Sequence, residues 1–254
     1  MFVACSTLCF GRSSLEDALR VIAELEFNKF DVAVQERGGQ LRPSEVAADV
    51  GHAAARLRHG PGLTPAAFSV ALEAPSPAEH DRQFRAVCRL ARIAAVPLLT
   101  LAPAGAGTGL DAEVRRLTHL ARLADAEGVM ITVATLTGTL TEDPDAAVEL
   151  CQRVSGLGLT LDPSHYIAGP HQGKNYDQVF PYVRHVHLRD TGRGPNQFQV
   201  RVGQGEVEYG RIVAQLARQH YDRALTVAIH DTPDAPFAMG PEVRKLKYLL
   251  ESLV

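Results

Sequence analysis

A chain of 254 residues, 46% hydrophobic and 22% charged, has ordinary globular composition and enough length to bury a large core. Its net charge of −3, with no basic run, argues against a nucleic-acid or acidic-membrane partner. No apolar stretch reaches the length of a membrane span, the opening ten residues lack a positive leader, and Cys5, Cys9, Cys88 and Cys151 form no C-x-x-C pair, so reduced thiols and a cytoplasmic location are expected.

In chain order, short β-rich runs alternate with longer helical ones. The predicted strands are 2–7, 29–34, 68–73, 97–101, 129–135, 158–162, 184–188 and 224–230. Ser13 and Glu16 form a capping-box pattern ahead of the first helix. Pro43 and Pro144 suit first-turn positions, with Asp143 as a natural N-cap. Further helices are predicted at 77–95, 111–127 and 241–253. Repeated β-then-α units imply a parallel sheet, and eight of them in about 250 residues predict one α/β domain over residues 1–254, a single (β/α)8 TIM barrel.

Period-two alternation separates the strand faces. Leu159 and Leu161 oppose Gly158, Thr160 and Asp162; Val186 and Leu188 oppose His185 and His187. Ile131 and Val133 oppose Thr132 and Ala134; Leu225, Val227 and Ile229 oppose Thr226, Ala228 and His230. The apolar sets are expected to face the helices and the small or polar sets the barrel interior. Interior residues at the C-terminal strand ends then face the mouth where such barrels carry their sites. Asp162 and His187, at neighbouring strand ends, make a natural divalent-metal pair. Taken singly, each also reads as a turn cap or a satisfied interior histidine.

The run Leu161-Asp162-Pro163-Ser164-His165, then His185-Val186-His187-Leu188-Arg189-Asp190 with Arg193 six residues after the second histidine, then Gly203-Gln204-Gly205, resembles the xylose-isomerase-like sugar isomerase/epimerase family. The stretches 13–34 and 128–141 resemble it too. The resemblance implies a divalent ion held by glutamate at the end of strand 5, aspartate after strand 6, histidine on strand 7 and glutamate on strand 8, the two glutamates also moving the proton beside a carbonyl. It assigns Asp162 and His187 as metal ligands, and His165 and Arg193 as contacts to substrate hydroxyls. The glutamate positions fall on Ala134 and Ala228. Alanine neither coordinates nor transfers a proton, so the inherited two-glutamate mechanism is not available.

Other groups could substitute. His230 offers a nitrogen ligand suited to zinc. Glu73, predicted at the inward end of strand 3, offers a carboxylate for substrate. Asp31, inward but deeper, and Glu36, which also reads as a solvated loop residue, could provide a carboxylate too, and His185 reads as a structural residue one layer below His187. Cys5 and Cys9 read as small buried hydrophobes. Gly203-Gln204-Gly205 is not a dinucleotide fingerprint, and the glycine-rich run 103–109 lacks a phosphate-loop lysine and reads as a mobile mouth loop.

The expectation is therefore a barrel acting on or binding a small sugar-like molecule, with an incomplete site for Mn, Co, Zn or Mg and no nucleotide cofactor. A non-catalytic sugar-binding or regulatory barrel is the alternative. Apurinic-site endonucleases of the same fold use early-strand histidines and a basic face, which this chain lacks, so nucleic acid is not an expected partner; neither is a membrane. Homo-oligomer formation is compatible with the sequence.

Overall fold

The computed structural model describes residues 1–254 apart from 39, 61, 196 and 236. Eight parallel strands, β1 (Phe2–Ser6), β2 (Lys29–Gln35), β3 (Thr64–Ala71), β4 (Leu98–Leu101), β5 (Met130–Ala134), β6 (Gly158–Leu161), β7 (Val183–Leu188) and β8 (Ala224–Val227), close into a barrel in sequence order. The outer ring is α1 (Leu15–Glu24), α2 (Pro43–Ala48), α3 (Val50–Arg56), α4 (Pro77–Ile93), α5 (Leu110–Asp125), α6 (Pro144–Arg153), α8 (Tyr209–Arg218) and α9 (Met239–Glu251), and a single turn, α7 (Ser164–Ile167), follows β6 at the mouth. No helix among the described residues is long and apolar enough to cross a membrane.

The strands show why sequence alternation works here. Leu159, Leu161, Val186, Leu188, Leu225 and Val227 are fully buried against the helix layer. Their neighbours Thr160, His185 and Thr226 turn into the barrel. Thr100 Oγ1 lies 2.8 Å from Thr160 Oγ1, and Thr132 Oγ1 lies 2.7 Å from it, so three strands share one buried hydroxyl cluster. Buried hydroxyls survive in such an interior only because they satisfy one another.

The helix starts follow local chemistry, with one shift from the sequence reading. The cap of α1 is Ser14, whose hydroxyl accepts from the Asp17 amide, rather than Ser13 with Glu16. Pro43 and Pro144 open their helices, and Asp143 accepts from the Asp145 amide. The strand boundaries also move. β3 begins at Thr64, where pairing with Lys29 of β2 recruits a segment of weak β propensity, and ends at Ala71. Glu73 therefore lies beyond the strand and not on its inward face. All four cysteines are buried and unpaired; Cys9 donates to the Val227 carbonyl at 3.4 Å.

Candidate functional site

The C-terminal mouth is organised by a residue of the motif run to which the sequence reading gave no role. Counting by two along β7 places His185, His187 and then Arg189 on the inward face, and Arg189 is 95% buried there, with 5% exposure. Its NH2 donates to Asp162 Oδ2 at 2.8 Å and to His165 Nε2 at 3.0 Å. Its Nε donates to Ser164 Oγ at 3.1 Å, and its NH1 to His230 Nδ1 at 3.3 Å. The other Asp162 oxygen, Oδ1, accepts from the Ser164 hydroxyl at 2.5 Å and amide at 3.0 Å. Asp162 itself is held where β6 ends: its amide donates to Thr135 Oγ1 at 2.8 Å, and that hydroxyl donates to the Asp162 carbonyl at 3.0 Å.

The electrostatics follow from these contacts. Burial pushes the Asp162 carboxyl up, but the Arg189 charge and the Ser164 hydrogen bond outweigh it and leave it below the ordinary carboxylate range. Burial lowers His165, with Arg189 adding to the effect against Asp162. Burial, then Arg189, holds His230 down to about 3. Both imidazoles at the mouth are neutral acceptors of guanidinium hydrogen bonds.

One pleat deeper, His185 Nε2 lies 2.6 Å and His187 Nε2 3.3 Å from Asp31 Oδ2. Burial opposes ionisation of Asp31, and the two histidines overcome it, leaving the carboxyl far below its usual range. Asp31, His185 and His187 are the one group of three ligating side chains, among the described residues, whose donor atoms all fall within 4.8 Å of one another, and they form a set able to hold a metal ion.

The residues singled out from sequence therefore divide. Asp162, His165 and His230 converge on Arg189. His187 turns its Nε2 to Asp31 and does not join Asp162 and His230 in a single cluster of ligand atoms. Arg193 is exposed and paired with Glu206 at 2.6 Å, in a surface cleft with Lys174, Tyr176 and Arg211. Glu73 is half exposed and paired with Arg37 at 3.2 Å. Glu36 is less solvated than expected: it accepts from the amide and hydroxyl of Ser44 at 2.7 and 2.9 Å, tying β2 to α2. Ala134 ends the inward face of β5, and Ala228 follows β8 with 1% exposure, its amide donating to the Leu188 carbonyl.

The loop from β7 to α8 covers the mouth. Phe198 packs on the His165 ring with centroids 4.8 Å apart, and Gln199 clasps the His230 backbone through bonds of 2.7 and 3.0 Å. The amides of Gly203 and Gly205 both donate to Asp190 Oδ2, at 2.6 and 3.1 Å. An anion at those amides would have to displace a carboxylate already bound. The glycine-rich run after β4 is likewise pinned, since the Ala106 amide donates to the Gly138 carbonyl at 3.0 Å.

The comparisons with known proteins agree with this architecture. The Xylose isomerase-like TIM barrel family model matches residues 10–249. A D-allulose 3-epimerase from Methylomonas sp. superposes with a TM-score of 0.77 at 13% identity, over 100% of this chain and 98% of that one. A xylose isomerase-like TIM barrel protein from Mycobacterium smegmatis in complex with magnesium superposes with a TM-score of 0.75 at 17% identity, over 99% and 97%. The probable 3-DHS dehydratase AsbF from Bacillus anthracis gives 0.75 at 14% identity, over 99% of each chain. No curated protein sequence matches. Identities this low carry the fold alone, but a family model spanning nearly the whole length carries membership: the chain belongs to the Xylose isomerase-like TIM barrel family.

Proposed function

We propose that this barrel takes a small polyhydroxylated, sugar-like molecule at its C-terminal mouth, and that a guanidinium stands there in place of a divalent ion. The observation that carries the proposal is the buried contact between Arg189 and Asp162. A hard cation at the mouth needs several anionic oxygens. Here one Asp162 oxygen is engaged by Arg189 and the other by Ser164, while Ala134 and Ala228 offer no ligand atom. The mouth residues present do not fit the family's metal.

What remains suits hydroxyl recognition. With Nδ1 of His230 accepting from Arg189, its Nε2 carries the proton and can donate to a ligand oxygen. The Phe198 ring supplies an apolar face for ligand C–H groups. Structural neighbours named as a D-tagatose 3-epimerase-like protein and a D-psicose 3-epimerase support the ligand class. A second reading, a barrel that binds sugar without turning it over, is favoured by a specific feature: the mouth's polar groups largely satisfy one another, and neither alanine can carry a proton.

The test is a panel of ketoses, aldoses, polyols and sugar acids, scored by thermal shift and calorimetry and then by NMR in deuterated water. Exchange of the proton beside the carbonyl marks an isomerase or epimerase. Binding without exchange, weakened at least tenfold in His165→Gln, marks the binding protein. Absence of any binding across the panel overturns the ligand class.

A further inference from the structure

The cluster beneath Arg189 has no role in the mouth network, and it is expensive to bury. Asp31 and His185 are 0% and 1% exposed in side chain, and His187 13%. An ionised carboxylate inside a barrel needs partners for both oxygens. Asp31 Oδ2 has two, but Asp31 Oδ1 is buried with no hydrogen-bond partner.

We propose that Asp31, His185 and His187 form a buried site for a first-row transition-metal ion, zinc or cobalt, one pleat below the family's usual position. Two imidazole nitrogens and one carboxylate oxygen are the donor set such ions prefer, and a poor one for magnesium or calcium. Bonds of roughly 2.1 Å hold neighbouring ligand atoms about 3.0–3.4 Å apart. The 3.3 Å separation between Asp31 and His187 already matches, and the 2.6 Å separation between Asp31 and His185 must open by a few tenths of an ångström. The orphan Oδ1 gives the carboxylate a second oxygen to offer. The hydroxyl of Thr226, 3.4 Å from His185 Nε2, flanks the site, and the partly exposed His187 opens it toward the mouth. The sugar-binding reading above is independent of this site.

The experiment strips the full-length protein with chelator and titrates it with Co2+, following visible absorption, with elemental analysis for Zn2+. One equivalent is expected. Loss of a ligand costs more than the 10–100-fold typical of a supporting contact, so affinity falls by about 100-fold or more in Asp31→Asn and His185→Gln. Asp162→Asn and His230→Gln stay within about threefold of the parent. If the Asp31→Asn and His185→Gln variants do not fold, His185→Cys keeps the question open to measurement, because a thiolate bound to Co2+ adds a near-ultraviolet charge-transfer band. A folded His185→Cys protein that binds Co2+ without that band overturns the proposal. So does metal lost in Asp162→Asn but retained in His185→Gln, which would place the ion at the mouth, and so does an absence of binding at millimolar Co2+ and Zn2+.

Discussion

Replacing Arg189 by methionine removes the cation on which the mouth converges while keeping much of its apolar stem. The pair it breaks is buried, with side-chain exposures of 5% and 10% and an N–O distance of 2.8 Å. Removing one partner of such a pair leaves an uncompensated charge and costs about 3–5 kcal/mol. Unfolding entropy near 2.1 cal/mol/K per residue amounts to ~0.53 kcal/mol/K for this chain, so Tm should fall by about 6–9 °C. The sign with pH is also set. In the parent, Asp162 has a folded pKa below its unfolded value, so its contribution is complete above the ordinary carboxylate range and is lost as pH falls through the folded value. In Arg189→Met, burial acts unopposed by the guanidinium and raises the folded pKa. The stability gap between parent and variant should therefore be widest near pH 7 and narrow toward pH 4. Urea unfolding at several pH values measures this, and Asp162→Asn completes a double-mutant cycle in which the double variant loses less than the sum of the singles by roughly 2 kcal/mol. Additive losses, or a gap that does not change with pH, would refute the claim that these two charges neutralise each other inside the barrel.

Three further outcomes are expected. Thr160→Val removes one partner each from the Thr100 and Thr132 hydroxyls, which keep each other at 3.2 Å, and should cost about 0.5–1.5 kcal/mol by urea unfolding. Gly205→Ala puts a Cβ 2.1 Å from Asp190 Oδ1 and 2.5 Å from the Thr191 carbonyl, so the loop must leave Asp190; a loss of about 1–3 kcal/mol and faster proteolysis within 191–207 should result. Glu73→Gln and Arg193→Ala each break an exposed ion pair and should change unfolding free energy by less than about 1 kcal/mol.

Much of the fold was legible because its periods are simple. Strict alternation in 158–162, 184–188 and 224–230 marks strands whose two faces differ, and a strand with its apolar side toward the helices lies in each run, although β6 stops at Leu161 and β8 at Val227, short of the predicted ends. Alternation was less informative at the ends of β3, where Leu72 and Glu73 continue the pattern after pairing with β4 has stopped at Val70. The α1 cap slipped by one residue because Ser13-Ser14 followed by Glu16-Asp17 satisfies the capping rule in two registers, and only the helix direction chooses between them.

The site was legible in its parts but not in its pairings. Asp162, His165 and His230 were visible as mouth residues, and Arg189 could have been found by carrying the inward count of β7 two residues past His187. Its consequence could not: whether a buried guanidinium reaches Asp162 depends on how far β6, β7 and β8 bring their ends together.

The amino-acid order alone determined that there would be eight strand-helix units and which side of each strand would be apolar. These are local matters of period, propensity and residue type. The closed barrel decided the rest, bringing Asp31 to His185 and His187 from 154 and 156 residues away and giving Asp162 an arginine partner. Which charges neutralise each other is a question of distance through a low-dielectric interior, and distances between remote residues exist only once the chain has closed on itself.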